Sequence, residues 1–132
     1  MTPVSFRFRI AKASSTGRYV RGWASVIEDE GAPIVDVQGD VISMEELRKA
    51  AHTFISRARV AKAMHKGERV GDVVESVLID DDFAKAHGIT HKKRGWWIGM
   101  EIHDGAIRKR VRDGDLSAFS IGGSGKRTAL AA

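Results

Sequence analysis

The sequence contains no cysteine and no long apolar run. The first absence excludes disulfides, cysteine-based zinc sites and a thiol nucleophile. No segment approaches the roughly 18 apolar residues that a membrane span requires, and the N-terminal "MTPVSFRFRIAK" lacks the apolar region of a secretory signal. We therefore expect a soluble, intracellular protein in which any covalent catalysis uses a residue other than cysteine.

The residues that are present indicate an ordinary globular chain of 132 residues, 42% hydrophobic and 30% charged. That length suits one domain with a substantial core. The formal net charge is +5, an excess that could attract nucleic acid or an acidic protein but establishes neither partner.

Alternation of apolar and polar residues predicts several strands. From Val4 to Ile10 every second residue is apolar, and "RYVRGWASVIE" follows after a turn, so we expect an antiparallel hairpin. Further strands are predicted at "ERVGDVVESVLIDDD", "RGWWIGMEIHD" and "LSAFSIGG". Because neighbouring strand residues point to opposite faces, one tryptophan of "GWWI" should face the core and the other should face outward.

The segment "SMEELRKAAHTFISRAR" has helical spacing, and Ser43 with Glu46 forms a capping box at its start. Shorter helices are expected before Gly88 and in "GAIRKRVRDGD", which Gly114 should terminate. These elements predict an α+β fold with a mostly antiparallel, curved or barrel-like β-sheet, one main helix and one or two short helices. We expect a single domain over residues 1–123 and a flexible tail over residues 124–132.

Two candidate ligand sites fail on inspection of their residues. The glycine-rich "SIGGSGKRT" would be a phosphate-binding loop only if a glycine stood at Ser120 and a hydroxyl residue at Arg127. His87 and His91 have the spacing of one helical face, but the intervening "GIT" disfavours a helix. We therefore expect no cofactor and no metal ion.

Two basic clusters, "HKKR" and "RKR", could contact phosphates, with Trp96 and Trp97 as stacking surfaces. The simpler interpretation is a solvated charged face beside core tryptophans. Nucleic acid is therefore not expected as a partner.

A serine and a histidine stand where nucleophilic catalysis could use them. Ser120 lies in the last predicted strand, and His65 lies in "AKAMHKGERVG", between the main helix and the next strand. A histidine at a cleft edge can act as a general base for a serine hydroxyl. Taken alone, each residue could equally be an ordinary surface residue.

Five segments favour a catalytic role for Ser120 and His65: "VRGWASV", "DVQGDVISMEELRKAAHTFI", "AMHKG" with "GDVVES", "RGWWIGMEIHD" and "VRDGDLSAFSIGG". Their order and spacing resemble the XkdF-like serine proteases of tailed phages and prophages. Those proteins are similar to the prohead (capsid maturation) proteases, which share a fold with the herpesvirus assemblins. The resemblance covers roughly residues 19–123, and five motifs in order are far more specific than any one of them.

The resemblance implies a serine endopeptidase that cleaves phage scaffold and major capsid proteins inside the immature capsid, the prohead, in the host cytoplasm. It implies Ser120 as nucleophile and His65 as general base. The downstream histidine of the assemblins has no counterpart, since no His, Asp or Glu follows Ser120. We therefore predict that Glu75 in "VVES" orients His65, with Ser117 as the fallback nucleophile.

Two other readings stay open at this point. One is a non-catalytic capsid-assembly module with the same fold, and the other is a nucleic-acid-binding module that uses the basic clusters. A homo-oligomer is also compatible with the sequence.

Overall fold

The computed structural model of the protein describes residues 2–35, 40–57, 60–62, 69–125 and 128–129. In these residues the fold is α+β, as predicted. The helices are α1 (Met44–Arg57), α2 (Asp81–Ala86) and α3 (Gly105–Arg112). The strands are β1 (Thr2–Ala13), β2 (Tyr19–Asp29), β3 (Ala32–Pro33), β4 (Asp40–Val41), β5 (Val60–Lys62), β6 (Arg69–Ile79), β7 (Arg94–Ile102), β8 (Ala118–Gly125) and β9 (Thr128–Ala129). The segment predicted as a tail begins inside β8.

Seven strands form one antiparallel sheet in the order β1-β8-β5-β6-β7-β2-β3. The long strand β1 pairs with β8 over its first part and with β2 over its last part, so the sheet curls round on itself. On one side the described strand β5 meets β8 at a single residue pair, Lys62 with Ser120. The result is a partial barrel, which agrees with the predicted curved sheet, and β4 and β9 form a separate two-stranded pair.

The inner face of the curled sheet carries the core, and α1 packs on it beside β8 and β6. Trp96 is fully buried at its centre, with edge-on ring contacts to Phe6 at 5.4 Å and Phe54 at 5.6 Å. Its indole Nε1 donates to Ser76 Oγ at 2.8 Å, which satisfies the only polar atom of the ring. Leu47 and Phe54 of α1 therefore share one core cluster with the strand residues.

The helix boundaries follow from capping groups that the sequence announces. Ser43 Oγ accepts a hydrogen bond from Glu46 N at 3.1 Å, so the predicted start of α1 is confirmed. Asp104 caps α3 in the same way, accepting from Ile107 N at 3.0 Å. At the end of α3, Gly114 has φ +81, the left-handed conformation that a residue just past a helix commonly adopts.

The opposite, outer face of the sheet is polar and aromatic. Trp97 lies there, partly exposed, and packs edge-on against Trp23 of β2 with ring centroids 5.3 Å apart. The prediction that one tryptophan of the pair faces inward and one outward is confirmed. Outer-face residues of β1 include the exposed Arg7 and Arg9, which alternate with the buried Phe6 and Phe8.

The two neighbouring tryptophans provide a matched test of this division. We expect Trp96→Ala to lower the free energy of unfolding by about 3–5 kcal/mol, because it empties the centre of the core. Trp97→Ala should lower it by only about 1–2 kcal/mol, through a partly exposed aromatic contact. Urea denaturation of both variants measures this, and equal losses would contradict the assignment of faces.

Candidate functional site

Ser120 lies on the outer face of β8, between two core residues. Phe119 and Ile121 are 1% and 2% exposed and point into the core, so alternation turns the Ser120 side chain to the other side of the strand. There Ser120 is partly exposed, and no side-chain hydrogen bond joins its hydroxyl to another described residue. The Ser120 side chain thus faces away from the core.

Ser120 lines an open cleft of about 330 Å³. Its lining comes from β1, from β8 and from the connection that precedes β8, and consists of Arg7, Asp115, Leu116, Ser117, Ala118, Phe119 and Ser120. Ser117 lies just before β8 and is exposed. A single peptide segment could therefore reach either serine, but only Ser120 is held within the sheet.

His65 lies outside the described residues. The described residues on either side of its segment belong to strands β5 and β6. Lys62 is the cross-strand partner of Ser120 in β8 and also of Arg69 in β6. Lys62 and Arg69, the described residues on either side of the His65 segment, are thus both level with Ser120.

Glu75 lies on the outer face of β6 and is held by an arginine. Its Oε1 accepts from Arg21 Nε at 2.7 Å and its Oε2 from Arg21 Nη2 at 3.1 Å. The hydrogen bond from Arg21 lowers the pKa of the Glu75 carboxyl, partly offset by desolvation. The carboxylate fits here because Gly99 stands opposite on β7, where a Cβ atom would collide with it.

The strand register separates Glu75 from Ser120. Ser120 is level with Arg69 through Lys62, and Glu75 follows Arg69 by six residues along β6, roughly 20 Å at the usual rise of a strand. The structure does not bring these two side chains together. The catalytic role of Glu75 stays a prediction.

A second carboxylate on β6, which the sequence analysis did not single out, lies nearer to Ser120 than Glu75 does. Asp72 is three residues from Arg69, with which it forms an ion pair, and its Oδ2 lies 3.2 Å from His103 Nε2. His103 Nε2 also lies 3.7 Å from Glu101 Oε1. The sequence signal for Asp72 was the same as for Glu75, an acid in the strand after the His65 loop, and only the pairing of β5 with β6 distinguishes them.

The basic clusters are only partly available to an anion. Arg94 is 8% exposed, and its Nε donates to Asp81 Oδ1 at 2.8 Å while its Nη1 donates to the carbonyl of His91 at 2.9 Å. In the second cluster, Arg108 Nε donates to the carbonyl of Ile102 at 2.6 Å. Since Trp96 is also fully buried, the predicted stacking surface is reduced to Trp97, which weakens the case for nucleic acid.

Comparison with known proteins places the chain in a family. Residues 10–129 match the family described as "Putative phage serine protease XkdF". The chain belongs to this family, which confirms the resemblance inferred from the five motifs.

Two proteins of Bacillus subtilis (strain 168) are similar to the chain. "Uncharacterized protein YqbD" is 32% identical over 91 residues, which make up 68% of this chain and 28% of that protein. "Phage-like element PBSX protein XkdF" is 30% identical over 92 residues, 69% of this chain and 33% of that protein. The chain thus spans about a third of the length of these relatives. No solved structure matches it significantly.

Among the described residues, no helix is long and apolar enough to cross a membrane. The same residues contain no group of three or more His, Asp or Glu side chains arranged to hold a metal ion.

The Arg21–Glu75 pair predicts a pH-dependent stability difference. Because the folded-state pKa of Glu75 is lowered, the stabilisation is present above the unfolded-state pKa and is lost as the pH falls through the folded-state pKa. We expect wild type to melt slightly above Glu75→Gln at about pH 7, and this gap to close as the pH falls below the ordinary pKa of a glutamate carboxyl, about 4.3.

The effect should be small, since both side chains are more than half exposed. Thermal melts in the Arg21→Gln background serve as the control, where the Glu75→Gln substitution should have no pH-dependent effect. A gap that persists unchanged in acid would contradict the assigned ion pair.

Proposed function

We propose that the protein is a serine endopeptidase of a tailed phage or prophage that cleaves scaffold and major capsid proteins during prohead maturation. It would act in the host cytoplasm, inside the immature capsid. The observation that carries this proposal is the position of Ser120, which stands on the outer face at an open cleft while its cross-strand partner Lys62 precedes His65 by three residues. Membership of the phage serine protease family supports it.

In the proposed reaction, Ser120 Oγ attacks the carbonyl carbon of the scissile peptide bond as His65 accepts the hydroxyl proton. The resulting tetrahedral intermediate collapses when His65 returns that proton to the leaving amine, which leaves an acyl ester on Ser120. A water molecule, deprotonated by His65, then attacks the ester, and His65 returns this proton to Ser120 Oγ as the acid product leaves. The outer face suits this chemistry because a substrate segment can lie over Ser120 without disturbing the core.

A carboxylate that accepts a hydrogen bond from the second nitrogen of His65 would fix the tautomer that the base requires. Glu75 is the carboxylate that we predict for this role from the sequence, and it would have to leave Arg21 to fulfil it. Asp72 is the second candidate because the register places it nearer to Ser120. Both lie on β6, the strand that follows the His65 connection.

A non-catalytic capsid-assembly module is the alternative function. A specific observation is compatible with it: the Glu75 carboxylate is already bound by Arg21. This reading requires that the wild-type protein binds capsid components but leaves all of them uncut.

The two serines of the cleft provide the first test. Ser120→Ala and His65→Gln should each lower cleavage of co-expressed scaffold and capsid proteins by about a thousandfold or more, since each removes a reacting group. Ser117→Ala is the matched control, a second hydroxyl removed from the same cleft, and should keep near wild-type activity. Gel electrophoresis and mass spectrometry of the products measure cleavage. Undiminished cleavage by Ser120→Ala would refute the proposal.

The identity of the orienting carboxylate is tested by two isosteric variants. If Glu75 orients His65, Glu75→Gln should lower kcat by about a hundredfold or more and leave KM nearly unchanged, because the base takes the wrong tautomer. Asp72→Asn should then have little effect. Measured on one peptide substrate, the reverse result would assign the role to Asp72, and wild-type kcat in both variants would exclude both carboxylates.

A further inference from the structure

The antiparallel pairing of β1 with β8 places Arg7 directly opposite Ser120. Directly opposed residues share one face of a sheet, with Cβ atoms about 4.5–5.5 Å apart. Both residues also line the 330 Å³ cleft. The nearest cross-strand neighbour of the proposed nucleophile on this side is therefore a cation.

The guanidinium of Arg7 is available to a ligand. Arg7 is exposed, and none of the described carboxylates lies within salt-bridge distance of it. Asp115 lines the same cleft without pairing with Arg7. An arginine with several free N–H donors is the side chain best suited to a carboxylate, which it can bind through two parallel hydrogen bonds.

We propose that Arg7 is a specificity-determining residue that binds the side-chain carboxylate of an acidic residue close to the scissile bond. This inference rests on the proposed protease function and names its substrate class, a peptide segment with Asp or Glu at one fixed position. With the scissile carbonyl above Ser120, the arginine reaches substrate side chains within a residue or two of the cleaved bond. Arg7 does not touch the reacting atoms.

The carboxylate of Asp115, which also lines the cleft, restricts where an acidic substrate residue is favoured. Asp115 lies in the connection between α3 and β8 and carries a negative charge that repels an acidic side chain. An acidic residue is therefore favoured only where the substrate reaches Arg7. The cleft predicts a single acidic position and not a general preference for acidic peptides.

The experiment is a cleavage profile of the protein on a proteome-derived peptide library, read by mass spectrometry. Ser120→Ala defines the background. We expect the wild type to enrich Asp or Glu at one position near the cleaved bond, and Arg7→Gln to reduce the acidic-to-neutral ratio at that position by about tenfold. Arg9→Gln is the matched control: it removes the same charge from the same face of β1, but it stands opposite Ala118 and does not line the cleft.

A charge reversal gives a second, independent readout. With two internally quenched peptides that differ only by Glu or Lys at the enriched position, Arg7→Glu should transfer the preference in kcat/KM from the Glu peptide to the Lys peptide. This result cannot arise from a mere loss of folding, since it requires a gain on one substrate.

The failures of the two proposals are distinguishable. Cleavage above the Ser120→Ala background without acidic enrichment, or with enrichment that Arg7→Gln leaves intact, would overturn the role of Arg7 while the protease function stands. Equal losses of preference in Arg7→Gln and Arg9→Gln would also overturn it, in favour of a diffuse charge effect. No cleavage above background would overturn the protease function and this inference with it.

Discussion

Packing of α1 against the inner face of the curled sheet, centred on Trp96, determines which residues of the neighbouring strands remain accessible. Once Trp96 is buried between Phe6 and Phe54, alternation directs its neighbour Trp97 outward. The same rule acts on β8, where burial of Phe119 leaves Ser120 on the outer face. A slip of one residue in the pairing of β8 would bury Ser120 and expose two large apolar side chains, so the core itself protects the position of the hydroxyl.

Two sets of charged residues on the outer face differ in their pairing. Arg7 and Asp115 line the cleft beside Ser120, whereas Arg21 pairs with Glu75, six residues beyond Arg69 in β6. Successive residues of a strand lie about 3.3 Å apart along its length, so the two sets are too far apart to contact each other. Among the described residues, the charges of the cleft form no ion pair, whereas Arg21 and Glu75 neutralise each other, so only the cleft resembles a binding site.

Local signals in the sequence were sufficient for the three helices, for the five longer strands and for the faces of their residues, but they did not predict the short strands β3, β4, β5 and β9. Ser43 and Gly114 marked the ends of helices because a cap depends on residues close in sequence. The family motifs, in turn, indicated Ser120 as the candidate nucleophile. Partners across the sheet were beyond such signals: the Arg21–Glu75 pair joins residues 54 positions apart, and its formation depends on which strand lies beside which. The same holds for Arg7, whose position opposite Ser120 follows only from the pairing of β1 with β8.

The strand order also bears on when the cleft comes into existence. β1 and β8 come from opposite ends of the described chain, and their pairing closes a very long loop. Contacts of such high sequence separation form slowly, because the entropy of loop closure is lost before the contacts compensate for it. During synthesis, β1 leaves the ribosome long before β8, and Arg7 meets Ser120 only after nearly all of the sheet has been made. The cleft is therefore incomplete until β8 has been synthesised and has paired with β1, and any activity of this face is delayed until then.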